Sequence, residues 1–316
     1  MTNLDCAFYG TGRHDMTNEA RILTPAARAY SGALSDPDRW AIWTPRPGDI
    51  LVCTPPRSGT TWTQTMLVML LNGGSDLHGK VPDLSPWIDA SIGTPAEKVR
   101  KTLAAQEGRR VVKTHVPADG FPVWEGVTVI SVYRHPLDVF FSRRKHIANR
   151  ANVPPDHPMA LPLPESFRFF LDSEAPSDDF DRDNLAMMTT HFRETACSGR
   201  LPDLKLFHYS HMVRDGQRTV AELARAADID ADASLVAEVA EATAFGAMKA
   251  KAAKYTPYAG SGLWKSDASF FDSASSRKWE GKLSEEELSL FDERLAELLP
   301  DDRARAWFER GEGSFS

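Results

Sequence analysis

The chain has little cysteine, no N-x-S/T sequon, and no apolar leader-like stretch within residues 1–20. Its three cysteines are Cys6, Cys53 and Cys197, and none stands in a C-x-x-C pair. An odd and scattered set of cysteines excludes a disulfide-rich scaffold. Cys53 ends an apolar run, so we predict that it is a small buried hydrophobe. Together these absences lead us to expect a cytoplasmic, reducing location.

The chain also lacks a long apolar run and an excess of positive charge. Its longest apolar run, 66–71, is too short to span a bilayer, so we expect no integral membrane segment. It has 37 Lys and Arg against 44 Asp and Glu, which gives a formal net charge of −7. This balance excludes a broadly basic nucleic-acid binder, and we expect no nucleic-acid partner. A strongly anionic ligand must therefore meet positive charge that is concentrated in one place.

Short apolar runs alternate with helical patterns along the chain. Strands are predicted at residues 49–53, 110–114, 127–133 and 204–209. Helices are predicted at residues 60–71, 136–150, 216–227, 234–244 and 284–298. Continuous apolar strands separated by helices are typical of a parallel sheet that is covered on both faces. We therefore predict an α/β fold, with a central parallel β-sheet flanked by helices, in which ligands bind at the carboxyl ends of the strands.

No internal repeat and no long linker divides the chain, so we predict a single domain overall. It comprises residues 46–310, preceded by an N-terminal segment, residues 1–45. Two segments have the composition of long loops: 151–164 contains five prolines, and 254–276 is rich in Gly, Ser and aromatic residues. Loops of this length are often lids over a site, although plain surface connections explain them equally well.

The first predicted strand runs into the sequence TPPRSGTTW and then a helix. A Gly-containing loop at a helix N-terminus presents free backbone N–H groups and the positive end of the helix dipole to an anion. Arg57 adds a cation, and Ser58, Thr60 and Thr61 add hydroxyl groups. The loop is P-loop-like, but it differs from the nucleotide-triphosphate loop G-x-x-x-x-G-K-S/T in two ways. No Gly opens it, and Gly59 is followed by Thr60 instead of Lys. A capped helix after a turn is the alternative interpretation.

Two further strands end in residues that suit anionic chemistry. The third predicted strand ends in Arg134, beside a Pro-started helix that contains Ser142 about two turns further on. The second ends in Lys-Thr-His, and because alternate side chains of a strand share one side, Lys113 and His115 can both face a cleft. A histidine, with an ordinary pKa of about 6.5, suits a general base near neutral pH.

At these residues the chain resembles a known family. TPPRSGTTW is similar to the 5′-phosphosulfate loop of the cytosolic-type sulfotransferases, T-Y-P-K-S-G-T-T-W. The preceding RPGDILV resembles that family's R-P-x-D-hydrophobic lead-in, and RHPLDVFFS resembles its 3′-phosphate motif, R-N/H-P-x-D-x-x-x-S. The K-T-H segment also matches, and RKWEG looks like the family's R-K-G segment. The resemblance extends from about residue 46 to residue 281, with Arg57 in place of the loop Lys and Trp279 in place of the last Gly.

The resemblance implies a sulfotransferase that needs no metal. It would use 3′-phosphoadenosine 5′-phosphosulfate as sulfuryl donor and release 3′,5′-adenosine bisphosphate. The implied catalytic residues are His115 as general base, with Lys113 and Arg57 stabilising charge. The implied donor-binding residues are Arg57, Ser58, Gly59, Thr60, Thr61, Trp62, Arg134, Ser142, Tyr209, Thr243, Phe245, Arg277 and Lys278. The expected step is an in-line displacement at sulfur by a hydroxyl, or an amine, of a small-molecule or lipid acceptor.

The acceptor pocket is expected between residues 76–100, 141–170 and 254–272, with the N-terminal segment on the same side. Candidate lining residues are Trp87, Phe141, Trp264 and Phe270, each equally well explained as a core residue. The family's dimer motif, K-x-x-x-T-V-x-x-x-E, is not found after Arg277, so a homodimer stays open.

Two alternatives belong to other functional classes. A P-loop kinase of small molecules requires a Lys after Gly59 and a Mg²⁺-binding acid, neither of which is evident. A catalytically inactive nucleotide-binding protein of the same fold requires no Lys113 or His115, and their presence argues against it. Binding of adenosine bisphosphate with and without Mg²⁺ separates the sulfotransferase from the kinase.

Overall fold

The computed structural model describes residues 19–174 and 180–315. Cys6 and residues 1–18 of the predicted N-terminal segment lie outside the described residues. The described strands are β1 (Ile22–Thr24), β2 (Ile50–Cys53), β3 (Val111–Thr114), β4 (Val123–Trp124), β5 (Thr128–Tyr133) and β6 (Lys205–His208). Four of them form a parallel sheet in the order β3-β2-β5-β6, and β1 pairs antiparallel with β4 in a small second sheet.

Helices connect and cover these strands. They are α1 (Thr60–Asn72), α2 (Val81–Leu84), α3 (Ala96–Ala105), α4 (Pro136–Ala148), α5 (Leu163–Asp172), α6 (Leu185–Phe192), α7 (Tyr209–Met212), α8 (Gly216–Ala226), α9 (Ala233–Ala242), α10 (Phe245–Ala250), α11 (Ala252–Tyr255), α12 (Glu285–Leu298) and α13 (Asp302–Arg310). In the described ranges, no helix is both long and apolar enough to cross a membrane.

Both faces of the central sheet are buried. Alternate residues of β2 point to opposite faces, so Ile50 and Val52 pack in one core cluster with α1, α8 and α9. Leu51 and Cys53 pack in another cluster with α3 and aromatic residues before β2 and around β4. A third cluster lies among α4, α5, α6, α12 and α13. The buried Cys53 is the small hydrophobe that the sequence predicts.

A buried ion pair fixes where β2 begins. The carboxylate of Asp49 lies 2.5 Å from Nη2 of Arg110, and both side chains are buried. The same carboxylate accepts hydrogen bonds from the backbone N–H groups of Arg110, at 3.0 Å, and Arg46, at 2.9 Å. Asp49 therefore aligns the start of β2 with that of β3, and through this register it sets where the loop after β2 begins.

The predicted α/β architecture is confirmed. Each predicted strand and helix is present, with ends that differ by no more than two residues. A capping box begins α12: Ser284 Oγ accepts from the N–H of Glu287 at 3.2 Å, while the Glu287 carboxylate accepts from the N–H of Ser284 at 2.8 Å. The small β1–β4 sheet and the helices α3, α5, α6 and α13 were not predicted.

Candidate active site

A cavity of about 890 Å³ opens at the carboxyl ends of β2, β3, β5 and β6. This is the edge of a parallel sheet where ligands bind in such folds. Twelve of the predicted donor and catalytic residues line it: Arg57, Gly59, Thr60, Thr61, Trp62, Lys113, His115, Arg134, Ser142, Tyr209, Thr243 and Phe245. The sheet therefore gathers residues that are up to 188 positions apart in sequence.

The loop between β2 and α1 is held in an unusual conformation. Gly59 has φ of 109° and Arg57 has φ of 66°, both in the region that favours glycine. A Cβ on Gly59 would lie 3.0 Å from the ring of Tyr209, so a side chain there would need the ring to shift. The hydroxyls of Thr54 and Thr60 are 2.5 Å apart and tie the two ends of the loop together.

This loop fits an anionic group. No side chain caps the N-terminus of α1 among the residues that the structure describes, so its first N–H groups are left for a ligand. Ser58 Oγ is buried and has no hydrogen-bond partner within the described ranges. A buried hydroxyl without a partner is costly, which favours a bound acceptor such as a phosphate oxygen.

The guanidinium of Arg57 contacts α4. Its Nε donates to Ser142 Oγ at 3.2 Å, its Nη2 donates to the carbonyl oxygen of Phe270 at 3.2 Å, and its Nη1 lies 3.1 Å from Nδ1 of His146. Burial, together with repulsion from Arg143 and Arg134, lowers the pKa of Arg57 to about 10. Arg57 remains a cation at neutral pH and is one side of the positive wall of the cavity.

Lys113 and His115, at the end of β3, are in direct contact. Nδ1 of His115 lies 2.7 Å from the carbonyl oxygen of Thr54, which can only accept, so Nδ1 carries the proton. Nε2 then has a free lone pair and accepts from the Lys113 ammonium at 3.1 Å. The indole of Trp87 lies against both: Lys113 Nζ is 4.6 Å above its ring, and its centroid is 4.8 Å from that of His115. The geometry sets the tautomer needed for a base at Nε2.

The electrostatics of this pair keep the histidine neutral. Burial is the main cause that lowers the pKa of His115 well below its usual value, and the neighbouring Lys113 ammonium adds to the effect. Burial also lowers the pKa of Lys113 to about 8; Asp89 opposes this shift and Arg57 reinforces it. At neutral pH the site therefore holds an unprotonated imidazole beside an ammonium group.

Arg134 follows β5 and forms the second cationic centre. Its guanidinium donates to the carbonyl oxygen of Ser275 at 2.7 Å, stacks 4.2 Å from the ring centroid of Tyr209, and lies 3.9 Å from the Asp138 carboxylate. Arg134 and Ser142 are both nearly inaccessible to solvent. Nε of Arg134 is buried and has no hydrogen-bond partner in the described part of the chain. This same Nε is the atom that lies 3.9 Å from the Asp138 carboxylate, so it has an ionic contact but no hydrogen bond, and it could still donate to an anion at the predicted 3′-phosphate position.

The RKWEG segment is anchored beside Arg134. The Asp138 carboxylate accepts from the backbone N–H groups of Arg277, at 3.1 Å, and Lys278, at 2.8 Å. Lys278 is buried and its Nζ lies 2.5 Å from Asp272. The structure places the Arg277 side chain outside the cavity wall, largely exposed and 3.6 Å from Glu280. Ser58 and Lys278 also lie just behind that wall.

The RKWEG segment packs against the 3′-phosphate motif RHPLDVFFS. Trp279, in place of the expected Gly, stacks on His135 with centroids 4.0 Å apart and planes 22° apart. His135 is also the N-cap of α4, where its Nδ1 accepts from the N–H of Leu137 at 3.2 Å. The tryptophan therefore supports the start of α4, close to Arg134.

Four of the predicted donor-binding residues, Trp62, Tyr209, Thr243 and Phe245, are aromatic or hydroxyl side chains in the cavity wall. Trp62 and Tyr209 are in edge contact, with centroids 6.0 Å apart. Tyr209 is the first residue of α7 rather than the last of β6. Thr243 is buried and donates its hydroxyl proton to the carbonyl oxygen of Val239 at 2.7 Å, while Phe245 is partly exposed at the cavity wall.

Of the four candidate acceptor residues, Trp87, Trp264 and Phe270 line the cavity. Phe141 packs in the core cluster of α4, with Lys282 Nζ 4.8 Å from its ring; its neighbour Phe140 lines the cavity instead. The 254–276 segment contributes Trp264 and Phe270, and the 151–164 segment contributes Met159. Whether either segment moves as a lid stays a prediction.

The structure also places at the cavity several residues that belong to none of the predicted site motifs. His146 lies one turn after Ser142 on α4 and contacts Arg57. An i, i+4 spacing on one helix face is the signal that could have identified it. Arg143 and Asp183 form an ion pair at 2.6 Å on the same wall, and no local motif marks such a long-range pair. In the described ranges, no cluster of His, Cys, Asp and Glu has the arrangement of a metal site.

Comparisons with known proteins agree with this geometry. A family model described as the sulfotransferase domain matches residues 47–302. The chain is 31% identical over 309 residues to a glycolipid sulfotransferase of Mycobacterium bovis, in an alignment that covers 89% of this chain and 94% of the relative. It is 30% identical over 308 residues to a glycolipid sulfotransferase of Mycobacterium tuberculosis, with the same shares covered.

Solved structures share the fold. The mouse sulfotransferase SULT7A1 complexed with PAP superposes with a TM-score of 0.63 and 19% identity, over 84% of this chain and 89% of that one. Retinol dehydratase in a complex with retinol and PAP superposes with a TM-score of 0.64 and 17% identity, over 81% of this chain and 82% of that one.

Proposed function

The chain belongs to the sulfotransferase domain family and is a sulfotransferase, and on that premise we propose that its donor is 3′-phosphoadenosine 5′-phosphosulfate and that His115 is its general base. The acceptor is a small molecule or lipid that offers a hydroxyl, or an amine. The observation that carries this proposal is the shared cavity. The uncapped N-terminus of α1 and the Lys113–His115 pair open onto the same space, so a phosphosulfate held by the first would meet the second.

The donor would be held by two separate anion sites. The loop of Arg57, Ser58 and the first N–H groups of α1 would take the 5′-phosphosulfate, because the α1 N-terminus has no side-chain cap and Ser58 Oγ has no hydrogen-bond partner among the described residues. Arg134 and Ser142 would take the 3′-phosphate. Lys278 and Arg277 stay proposed donor ligands; Lys278 would have to exchange Asp272 for the phosphate, and Arg277 would have to turn inward from Glu280.

The chemistry supplied by the bound donor is sulfuryl transfer: the acceptor O–S bond forms as the S–O bond to the 5′-phosphate breaks, and the acceptor loses its proton. His115 would take that proton at Nε2, which is unprotonated because Nδ1–H is held by Thr54. Lys113 donates to Nε2 at 3.1 Å. An anionic donor attracts the ammonium away from Nε2, so donor binding would expose the base and place Lys113 beside the developing negative charge.

The acceptor would be amphipathic. Beyond the cationic residues, the cavity wall is mainly apolar, with Phe140, Met159, Phe170, Met187 and Met188 among its lining residues. A wall of this kind binds a hydrocarbon or ring system, while the few polar groups near His115 orient one hydroxyl. The glycolipid sulfotransferases that resemble the chain make a lipid-linked hydroxyl our first choice of acceptor.

A screen with radiolabelled donor tests the proposal. Phenols, alcohols, amines and glycolipids are incubated with the enzyme and labelled products are separated by chromatography. We expect label in at least one hydroxyl acceptor, and His115→Ala to lower kcat by about 10²–10⁴-fold because the base is lost. His78→Ala removes an exposed histidine and should change nothing.

Affinity for adenosine bisphosphate should stay within about twofold in His115→Ala, because the base faces the acceptor. Label in no acceptor, despite tight nucleotide binding, would favour an inactive nucleotide-binding protein. Undiminished turnover by His115→Ala would remove the histidine from the mechanism.

A further inference from the structure

Each nitrogen of the Arg57 guanidinium meets a protein group, and these groups lie on two elements, so three of its five N–H donors are used and two are left for a ligand. Its three nitrogens meet Ser142 Oγ, His146 Nδ1 and the carbonyl oxygen of Phe270, at 3.2, 3.1 and 3.2 Å. Ser142 and His146 lie one turn apart on the same face of α4, whereas Phe270 belongs to the 254–276 segment. A lysine has one terminal nitrogen and could not reach three acceptors in this fixed planar arrangement.

His146 is itself held in place. Its ring lies in edge contact with Trp264, with centroids 4.7 Å apart, and with Phe270, with centroids 5.5 Å apart. Burial, reinforced by the positive charge of Arg57, lowers its pKa well below the usual value, so the imidazole is neutral. A neutral ring that meets an arginine N–H through Nδ1 must offer a lone pair there and carry its proton on Nε2. His146 is therefore an acceptor whose position and tautomer are both set by its surroundings.

We propose that His146 is a positioning residue for sulfuryl transfer, which holds the Arg57 guanidinium through Nδ1 so that it points into the cavity. This inference rests on the proposed function, because it assumes that Arg57 meets the phosphosulfate. His146 acts only through Arg57 and does not exchange a proton with the substrate. The enzyme needs His146 because its loop residue is an arginine. A lysine at position 57 would not make the contact to Nδ1.

A double-mutant cycle isolates this contact. His146→Phe keeps an aromatic ring against Trp264 but removes the acceptor, and His146→Asn keeps an acceptor oxygen near the position of Nδ1. Each is made with Arg57 and with Arg57→Lys, and kcat is measured with the acceptor found in the screen. Loss of one hydrogen bond to a charged group predicts a fall in kcat of about 10–100-fold for His146→Phe. His146→Asn should recover most of it, to within about threefold of the wild type.

In the Arg57→Lys background, all three residues at position 146 should give the same kcat within about twofold, because the contact is already absent. Within each background, the affinity for adenosine bisphosphate, which lacks the sulfuryl group, should be the same for all three residues at position 146. A fall in kcat of equal size in both backgrounds, or a His146→Asn enzyme as slow as His146→Phe, would show that His146 has only a packing role.

A second measurement does not depend on turnover or on the folding of variants at position 146. Nitrogen NMR of the histidine side chains in the wild type should show His146 as the Nε2–H tautomer, with its Nδ1 signal shifted in Arg57→Lys. An Nδ1–H tautomer in the wild type overturns the contact itself. Absence of wild-type transfer to every acceptor contradicts the proposed function, whereas active wild type with an unaffected His146→Phe contradicts only the role of His146.

Discussion

At the scale of single residues, the proposed catalysis depends on which groups carry charge inside the cavity. His115 is neutral and Lys113 is charged at pH 7 because both are buried and lie 3.1 Å apart. Burial penalises the charged form of each side chain, and repulsion across their contact disfavours a state in which both are positively charged. A base and a cation therefore coexist in one small space, which is the condition that general-base catalysis next to a polyanion requires.

The first prediction concerns the pH dependence of kcat/KM, which reports the free enzyme. Because the pKa of His115 is well below 6.5, no loss of activity should appear as the pH falls from 8 to 6.5. Because the pKa of Lys113 is about 8, activity should decline about tenfold per pH unit above that value as the ammonium loses its proton. Steady-state rates between pH 5.5 and 10 check both limbs.

Lys113→Arg is the control for this profile. An arginine stays charged throughout the range, so the decline above pH 8 should disappear even if the overall rate is lower. A profile that still declines near pH 8 in Lys113→Arg would assign the basic limb to another group.

The second prediction concerns Asp89, a buried carboxyl near Lys113. Within the described residues neither of its oxygens has a hydrogen-bond partner, and burial raises its pKa to about 7. Folding raises the pKa of this carboxyl, so the carboxyl lowers the free energy of unfolding as the pH rises, and the effect is largest above pH 7. At that pH the carboxyl is ionised in both states, and its charge is costly only in the folded one.

Asp89→Asn removes that cost. The gain in free energy of unfolding should be about 2–3 kcal/mol larger at pH 8 than at pH 5, as the shift from a usual pKa near 3.9 implies. Chemical denaturation at the two pH values measures it. An equal effect at both values would mean that Asp89 does not titrate in this range.

At the scale of elements, the site is assembled where strands end and helices begin. The loop after β2, the start of α4 and the end of β3 each contribute one or two residues, and the parallel register of the sheet brings them together. α4 does more than the sequence suggests. It carries Ser142 and His146 on the face that meets Arg57, and at its N-terminal turn Asp138 anchors the RKWEG segment.

The third prediction tests the conformation of the loop after β2. Gly59→Ala should weaken binding of adenosine bisphosphate by about tenfold or more, because φ is 109° and the new Cβ would meet the Tyr209 ring at 3.0 Å. Isothermal titration measures the dissociation constant.

Gly73→Ala is the matched control at the other end of the same helix. Gly73 also has a positive φ, 70°, but nothing lies within 4 Å of its Cβ position among the described residues. It should lower the melting temperature without changing nucleotide affinity. Equal affinities for both variants and the wild type would show that the loop tolerates a side chain.

The central elements could be predicted from sequence because their patterns are local. The apolar run of β2 and the loop that follows it, or the capping residues Ser284 and Glu287, are complete within a few positions. The helices α3, α5, α6 and α13 have only 8–10 residues each and contain none of the sequence motifs. Their helical state depends on packing against the sheet and each other.

The same reason limits what the sequence says about the site. Arg57, Lys113, His115 and Arg134 are found because each lies at the carboxyl end of a strand or in the segment that follows it. His146 and Asp183 are not, since their roles arise only from contacts across 89 positions to Arg57 and 40 positions to Arg143. Arg277 shows the converse: its motif is recognisable, but its side chain lies on the outside of the cavity.

At the scale of the whole molecule, an acidic protein contains a concentrated cationic cavity. The chain has a net charge of −7, yet Arg57, Lys113 and Arg134 all line one space. Since low-dielectric surroundings strengthen electrostatic interactions, a few buried cations bind a small polyanion more effectively than a diffuse basic surface does. The overall charge argues against an extended polyanion as partner but is compatible with a doubly phosphorylated nucleotide.

Titration calorimetry with adenosine 3′,5′-bisphosphate, with EDTA and then with Mg²⁺, tests the central claim that this cavity binds the donor without metal. We predict equal binding by the wild type in both buffers, a loss of about 30-fold or more in Arg134→Ala because a buried phosphate loses its partner, and no change in Arg21→Ala, where an exposed arginine pairs with Glu125. Binding that requires Mg²⁺, or that is unaffected by Arg134→Ala, would contradict the account.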